Sequence, residues 1–158
     1  MLPLYQAVVA RARDPFWYRE AQVPDNVDGR FDMLAAFMAL LLIRYEEEPG
    51  DEARQDMVLL TETFIADMDE SLHQIGIGDY VVGKHVGRMM GALGGRLTAF
   101  RQARQDGEFG PAVHRNIFHE APPAPALVEL AAARLARFDS ALAMTPAGEI
   151  GAGRLPPL

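Results

Sequence analysis

Cysteine is absent from the sequence, so disulfide bonds, thiolate metal sites and cysteine nucleophiles are excluded. Serine occurs only at Ser71 and Ser140, and neither lies in the pattern of a nucleophile elbow. Clusters of basic residues are also absent, and the net charge is −7, which argues against binding to nucleic acid or to anionic lipid. These absences remove several classes of enzyme and of nucleic-acid-binding protein.

Long hydrophobic runs are lacking as well. The longest, residues 33–43, is shorter than the roughly 20 residues that are needed to cross a bilayer. The N-terminal residues are apolar, but they have neither the charged start nor the small-residue cleavage site of a secretory signal. We therefore expect a soluble, cytoplasmic protein that does not insert into the membrane itself.

No segment shows the alternating pattern of a β-strand, whereas apolar residues recur at steps of three and four. The sequence therefore predicts an all-α protein, a single irregular bundle of six to seven helices that spans residues 1–144. Residues 145–158 are dominated by proline, glycine and alanine, and we expect them to form a disordered, flexible tail. The predicted helices are residues 3–13, a short helix that starts at Pro15 behind an Asp14 cap, 30–48, 52–75, 80–105, a short piece at 111–119, and 126–144.

Two of these helices carry unusual apolar surfaces. Phe16, Trp17 and Tyr18 are adjacent and point in three directions, so we expect two in the core and one at its rim, unless the trio forms a contact surface. The helix at residues 30–48 is apolar around its whole circumference, which is typical of a central helix or of one that covers a groove. Its end, residues 46–48, places three glutamates at the negative end of the helix dipole, an unfavourable position.

The segment 64–96 predicts a helix, a tight corner at residues 76–79 and a second helix. The second helix carries Gly83, Gly87, Gly91 and Gly95 at every fourth position. Each interior glycine costs a helix about 1 kcal/mol relative to alanine, so the repeat requires a reason. The glycines lie mostly away from the apolar stripe of the helix, and they can serve close internal packing, docking of a partner helix, or neither.

No convincing catalytic or metal site emerges from the remaining motifs. Residues 78–84 match the spacing G-x-x-x-x-G-K, but a helix precedes them and His85 occupies the position where a phosphate-binding loop has serine or threonine. Asp67 and Asp69 are two apart on a helix and diverge, and the four histidines lack the spacing of a helical metal site. We therefore predict no enzyme activity, no metal and no cofactor, and favour a binding module.

A series of short motifs runs in register between Gly29 and Arg104. They are Gly29-Arg-Phe-Asp-Met33, Phe64-x-x-Asp-Met-Asp69, Leu72-x-x-Ile-Gly-Ile-Gly-Asp79, Val82-Gly-Lys84, Val86, Met89 and Gly95-Arg96. Together they resemble the ubiquinol–cytochrome c chaperone family, whose members are assembly factors for complex III of the respiratory chain. The resemblance implies an all-helical, non-enzymatic bacterial protein that holds newly made cytochrome b until assembly proceeds. It gives neither the oligomeric state nor the client segment.

The candidate functional residues form two groups. Residues expected to bind the partner are Phe16, Trp17, Tyr18, Met33, Phe37, Met38, Leu41, Tyr80, Gly83, Lys84, Gly87, Met90 and Gly91. Residues that belong to the motifs and that we expect to be architectural are Gly29, Arg30, Phe31, Asp32, Asp67, Asp69, Gly76, Gly78, Asp79, Gly95 and Arg96. Methionine-rich surfaces adapt to varied clients, which suits this function.

A second hypothesis is a helical domain that binds a small hydrophobic ligand, such as haem or a quinone, between its helices. His73, His85, His114 or His119 would then be axial ligands of the haem. For the chaperone, we expect an exposed apolar patch that includes part of the aromatic trio or of the 30–48 helix.

Overall fold

A computed structural model describes residues 1–74, 79–119 and 124–158 of the chain. The described residues form helices and contain no β-strand, which confirms the predicted all-α fold. The helices are α1 Leu2–Ala12, α2 Pro15–Arg19, α3 Val27–Glu46, α4 Asp51–Gln74, α5 Asp79–Asp106, α6 Gly110–Val113, α7 Pro125–Met144 and α8 Ala147–Gly151, and a π-helical turn, His114–Phe118, continues α6. The corner predicted at Gly76 and Gly78 lies outside the described residues.

Helix α3 is the central element of the bundle. It packs against α1, α4, α5, α7 and the π-helical turn, and residues 32–45 are buried along its whole length. Its apolar circumference is therefore explained by neighbours on every side. Helix α3 begins earlier than predicted because Asn26 caps it, with its side-chain oxygen accepting a hydrogen bond from the Gly29 amide at 2.8 Å.

The glutamates at the end of α3 are compensated by arginines. Each of them forms an ion pair with a guanidinium group, two from the end of α5 and one from α3 itself. The unfavourable position relative to the helix dipole is thus offset by contacts between α3 and α5. The pairs are Arg101–Glu46 (2.8 Å), Arg104–Glu47 (2.9 Å) and Arg44–Glu48.

The C-terminal residues differ from the prediction of a disordered tail. They form α8 and then pack along α1, where the Arg11 side chain donates a hydrogen bond to the Leu155 carbonyl at 3.0 Å. Ile150 is fully buried, and Leu155 and Leu158 pack against the core. Three apolar side chains are enough to dock the segment, and a composition rule that averages over proline, glycine and alanine does not detect them.

Candidate functional site

The predicted aromatic trio is mostly part of the core. Phe16 and Trp17 are buried, whereas Tyr18 is half-buried at the rim, which agrees with the expectation of two core residues and one rim residue. Asp14 caps α2 as predicted, accepting a hydrogen bond from the Phe16 amide at 2.9 Å. The trio therefore serves mainly to pack α2 onto the bundle.

The four residues of α3 that were expected to bind a partner, Met33, Phe37, Met38 and Leu41, all have 0% exposure. The Phe37 ring packs edge-on against Trp17 at 5.8 Å and against Phe138 at 4.9 Å between ring centroids. In this conformation none of these side chains is open to a second protein.

The glycines of α5 lie on its outer face. Gly83, Gly87, Gly91 and Gly95 are exposed, and a Cβ atom built at any of them would meet no described atom within 4 Å. Close internal packing of the glycines is therefore not found among residues 1–74, 79–119 and 124–158. Of the other candidates on α5, Lys84 is exposed and Met90 half-buried, while the side chains of Asp79 and Tyr80 lie outside the described set.

Two motif segments meet at a buried ion pair. The guanidinium of Arg96 on α5 pairs with the Asp32 carboxylate on α3 and donates a further hydrogen bond to the Asn116 carbonyl at 2.8 Å. His119 Nε2 lies 2.6 Å from the second Asp32 oxygen. Burial raises the pKa of Asp32 and lowers that of Arg96, because each charged form loses water, and the contact between them opposes both shifts. This cluster joins α3, α5 and the π-helical turn.

Gly29 has a steric function. A Cβ atom at this position would lie 1.9 Å from the Pro24 carbonyl oxygen, a distance that only glycine avoids. The loop before α3 therefore packs directly on the first turn of the helix.

Five further motif residues, Arg30, Phe31, Asp67, Met68 and Met89, line a groove with a cavity volume of about 320 Å³. The groove lies between the second half of α1, the first turns of α3, the second half of α4 and Met89 of α5. Its walls are mainly apolar, and Arg30, Phe31, Asp67 and Met68 come from two of the motifs. Its lining is Val9, Ala12, Arg13, Val27, Arg30, Phe31, Leu34, Asp67, Met68, Ser71, Gln74 and Met89.

Charged groups stand at the edges of this groove. Arg13 has no ion-pair partner among the described residues, and Arg30 pairs with Asp25 at 2.8 Å on the exposed side. Asp67 accepts a hydrogen bond from the Tyr5 hydroxyl at 2.6 Å, which ties α4 to α1. Burial and this bond raise the pKa of Tyr5.

Sequence reasoning found one side of the groove and missed the other. The motifs supplied Arg30, Phe31, Asp67, Met68 and Met89, but nothing in the sequence singles out Val9, Ala12, Arg13, Val27 or Leu34. Val27 is the clearest omission, because 72% of its surface is exposed at the mouth of the groove. A helix start assigned to the Asn26 cap would have placed Val27 in the first turn and directed attention to it.

The remaining motif and ligand candidates lie elsewhere. Asp69 is half-buried on α4 and faces His73, whose Nδ1 lies 3.5 Å from an Asp69 oxygen. The described ranges contain no group of three or more histidine, cysteine, aspartate or glutamate side chains arranged to hold a metal. His114 and His119 are exposed, and no histidine is among the described residues that line the groove.

Outside the groove, Val58 and Leu59 share a shallower, mainly apolar depression with Arg54 and Gln55, which contains no motif residue, and the other exposed apolar side chains of the described residues are scattered. Val58 and Leu59 on α4 are 55% and 47% exposed, and Met144 at the end of α7 is 85% exposed. None of the described helices combines the length and the apolar content that a membrane crossing requires. The groove is thus the place where concavity, apolar walls and motif residues coincide.

Comparison with known proteins gives two matches. The model of the family described as Ubiquinol-cytochrome C chaperone matches residues 19–154. The crystal structure of the Cbp3 homolog from Brucella abortus is similar, with a TM-score of 0.83 and 27% sequence identity over 98% of this chain and 86% of that chain. The comparison with curated proteins gives no match. The family match includes the α3, α4 and α5 walls of the groove, and α1 precedes it.

Proposed function

This chain belongs to the ubiquinol-cytochrome C chaperone family, and from that premise we propose that it is an assembly chaperone of respiratory complex III that binds newly made cytochrome b. The proposed function is non-enzymatic: the protein contributes a binding surface and makes or breaks no bond. It acts from the cytoplasmic side and is held at the inner membrane only through its client.

We place the client-binding surface at the groove between α1, α3, α4 and α5. An unassembled membrane subunit exposes apolar segments, and a chaperone that binds them requires an apolar surface that does not aggregate when empty. A concave groove with polar edges meets that requirement, because a flat patch of similar area would be open to self-association. Met68 and Met89 line the groove, and their flexible side chains can adapt to segments of different shape.

One observation carries this assignment. Arg30 and Phe31 come from one family-like motif and Asp67 and Met68 from another, more than 30 positions away in the sequence, and both pairs line the same groove. Motif residues that only stabilised the fold would be expected in the core, as Asp32 and Arg96 are. The groove thus brings together Arg30, Phe31 and Asp67, three motif residues that are not buried in the core.

The test is capture of cytochrome b from membranes of the source bacterium by the tagged protein. Val27→Glu places a charge at the mouth of the groove, where apolar contact is proposed, and we expect at least a tenfold loss of captured cytochrome b. The fold should be unaffected, because Val27 is exposed and an acidic residue is favourable in the first turn of a helix.

Val58→Glu is the matched control. Val58 is 55% exposed on α4 and lies outside the groove, so the same substitution should leave capture unchanged. Equal capture by both variants would remove the groove from the proposal. Absence of cytochrome b from the wild-type fraction, with normal complex III in a deletion strain, would remove the function itself.

A small hydrophobic ligand is the second candidate, and the dimensions of the groove favour it. Its volume of about 320 Å³ lies in the range of small-molecule sites, about 300–1,000 Å³, and its walls are mainly apolar. A quinone fits this description better than haem, since no histidine is among the described lining residues. Saturable quenching of Trp17 fluorescence by a soluble quinone, abolished in Val27→Glu, would support this alternative. A shifted Soret band on addition of haem would support haem instead.

A further inference from the structure

A second cavity lies at the opposite end of α4 from the groove. It is lined by the end of α3, the start of α4, the N-terminus and α8, is open to solvent on one side, and has a volume of about 400 Å³. Three of its lining side chains are carboxylates, and it contains no arginine, lysine or histidine among the described residues. The lining residues are Met1, Tyr45, Glu48, Pro49, Glu52, Ala53, Asp56, Ala147, Gly148 and Gly151.

The charges in this cavity are only partly balanced. Glu48 pairs with Arg44, whereas Glu52 and Asp56 form no ion pair with any described residue. Glu52 and Asp56 are four residues apart on α4, a spacing at which like charges repel each other on one helix face. The amino group of Met1 also forms no ion pair within the described ranges, so it does not neutralise them.

A buried polar group without a partner lies in the same cavity wall. Tyr45 is 2% exposed, and its hydroxyl makes no hydrogen bond to the described residues. A Cβ atom at Gly151 would be 3.6 Å from the Tyr45 hydroxyl and 3.6 Å from Asp56 Oδ2, so both oxygens are directed toward this residue of α8. Burial, reinforced by the Asp56 charge, raises the pKa of Tyr45 to about 12, so the phenol is neutral and its oxygen can accept a hydrogen bond.

We propose that this cavity binds the guanidinium or ammonium group of a basic side chain from the client polypeptide. A cationic N–H group can donate to Asp56, to Glu52 and to the Tyr45 hydroxyl oxygen, and its charge relieves the repulsion between the two carboxylates. The inference rests on the proposed function, and it adds the chemistry of the client segment.

Two general features support a basic segment as the occupant. Loops of membrane proteins on the cytoplasmic side are rich in lysine and arginine, so an unassembled subunit presents such side chains next to its apolar helices. The net charge of −7 attracts a basic segment before contact. A directly bound metal fits less well, because the described residues include no group of three ligands suited to one.

Amide NMR of the full chain tests the site without the client. The probe is N-acetyl-arginine amide, and its uncharged isostere N-acetyl-citrulline amide is the control. We expect saturable shifts of the Gly148 and Gly151 amides with the arginine probe, and at least tenfold weaker binding of the citrulline probe. Equal shifts with both probes, or none with either, would overturn the proposal.

Variants of the chain test whether the arginine probe binds in this cavity. The double variant Glu52→Gln and Asp56→Asn should reduce binding of the arginine probe at least tenfold, whereas Glu62→Gln, an exposed carboxylate of α4 outside the cavity, should not. Gly151→Lys places a cation from α8 beside Asp56 and Tyr45, and the space at this position accepts a side chain. We therefore expect Gly151→Lys to fold normally and to lose binding of the probe.

Further measurements distinguish a basic side chain of the client from a metal ion or another cation. Shifts of the same amides with magnesium chloride but not with the arginine probe would show a metal site and overturn the proposal. Binding of the arginine probe together with undiminished capture of cytochrome b by the Glu52→Gln and Asp56→Asn variant would show that the cation is not the client's. Absence of cytochrome b from the wild-type fraction would refute the proposed function instead, while the probe titration still reports on the cavity.

Discussion

Asp32 and Arg96 show how a single residue pair holds this bundle together. Both residues are buried, with 4% and 5% exposure, and Arg96 also donates a hydrogen bond to the Asn116 carbonyl while Asp32 also contacts His119. Transfer of two charges out of water is unfavourable, and the attraction between them compensates only while both are present. The pair is therefore sensitive to loss of either member.

Arg96→Met tests this sensitivity, because methionine retains the apolar stem and removes the charge. We expect a loss of about 3–5 kcal/mol in the free energy of unfolding, measured with urea, because Asp32 is left buried without its main partner. Arg101→Met removes an exposed ion pair with Glu46, and we expect a loss of about 0–1 kcal/mol. Similar small losses in both variants would show that His119 or a proton is enough to stabilise Asp32.

The sequence allowed the pair members to be recognised but not the pair. Gly29, Asp32 and Arg96 all stand in family-like motifs for which the sequence predicts an architectural function, and they form a steric contact and a buried ion pair. Asp32 and Arg96 are 64 positions apart, and no periodicity within one helix links them. Contacts of this kind depend on how helices pack, which local sequence patterns do not encode.

Among the helices, α5 carries the residues that its structural environment explains least, the exposed glycines. Glycine in the middle of an exposed helix reduces stability, yet Gly87 and Gly91 lie on the outer face, and the position of a Cβ atom at either residue is open space. No steric reason for glycine is found at either position among the described residues. A partner helix that packs against this face would supply one.

Gly87→Ala and Gly91→Ala separate the two explanations. Each should increase the free energy of unfolding by about 0.5–1 kcal/mol, because alanine is the better helix former and its methyl group meets nothing. Complex III content of a strain that carries both substitutions provides the second measurement. Normal content would mean that the glycines have no partner, and reduced content with increased stability would indicate docking of a partner on α5.

Gly29→Ala is the control for this series. A methyl group there would overlap the Pro24 carbonyl, so we expect the free energy of unfolding to decrease instead of increase. A rise at all three positions would contradict the close contact before α3.

The bounds of a helix can be predicted from the sequence where the residues that start and end it lie next to each other in the chain. The predicted starts and ends of α4, α5 and α7 are within one residue of those observed, because periodic apolar residues, caps and flanking proline or glycine act over a few positions. Helix α3 starts three residues before its predicted start because Asn26 caps it, and it ends two residues before its predicted end. The π-helical turn at His114–Phe118 has no comparable local signal.

At the scale of the whole molecule, helices α1 and α4 form parts of both the groove and the acidic cavity. Helix α1 contributes Val9 to the groove and its N-terminal neighbour Met1 to the cavity, and α4 contributes Met68 and Asp56 respectively. Asp67, which also lines the groove, is 11 residues from Asp56, about three turns and about 16 Å along α4, so the two lie on the same face of the helix. A client with an apolar segment followed by a basic loop can therefore contact both sites on one side of the bundle.

The C-terminal segment closes this side of the molecule. Residues 147–158 bring α8 over Tyr45, place Leu155 against α1, and bury Ile150 completely. The sequence suggested a flexible tail because its few apolar residues are diluted by proline and glycine, and only the packed structure shows where they bind. The acidic cavity was missed for the same reason, since Gly148 and Gly151 of the segment form one of its walls.

Docking of the tail predicts a measurable contribution to stability. Ile150→Ala should lower the free energy of unfolding by about 2–5 kcal/mol, the usual loss for a fully buried isoleucine, because it removes the one completely buried side chain of the segment. Met144→Ala, at a position that is 85% exposed at the end of α7, should change it by less than about 0.5 kcal/mol. Urea unfolding followed by circular dichroism measures both variants. Equal and small changes would mean that the segment is not docked in solution, and the acidic cavity would then lack the wall that α8 provides.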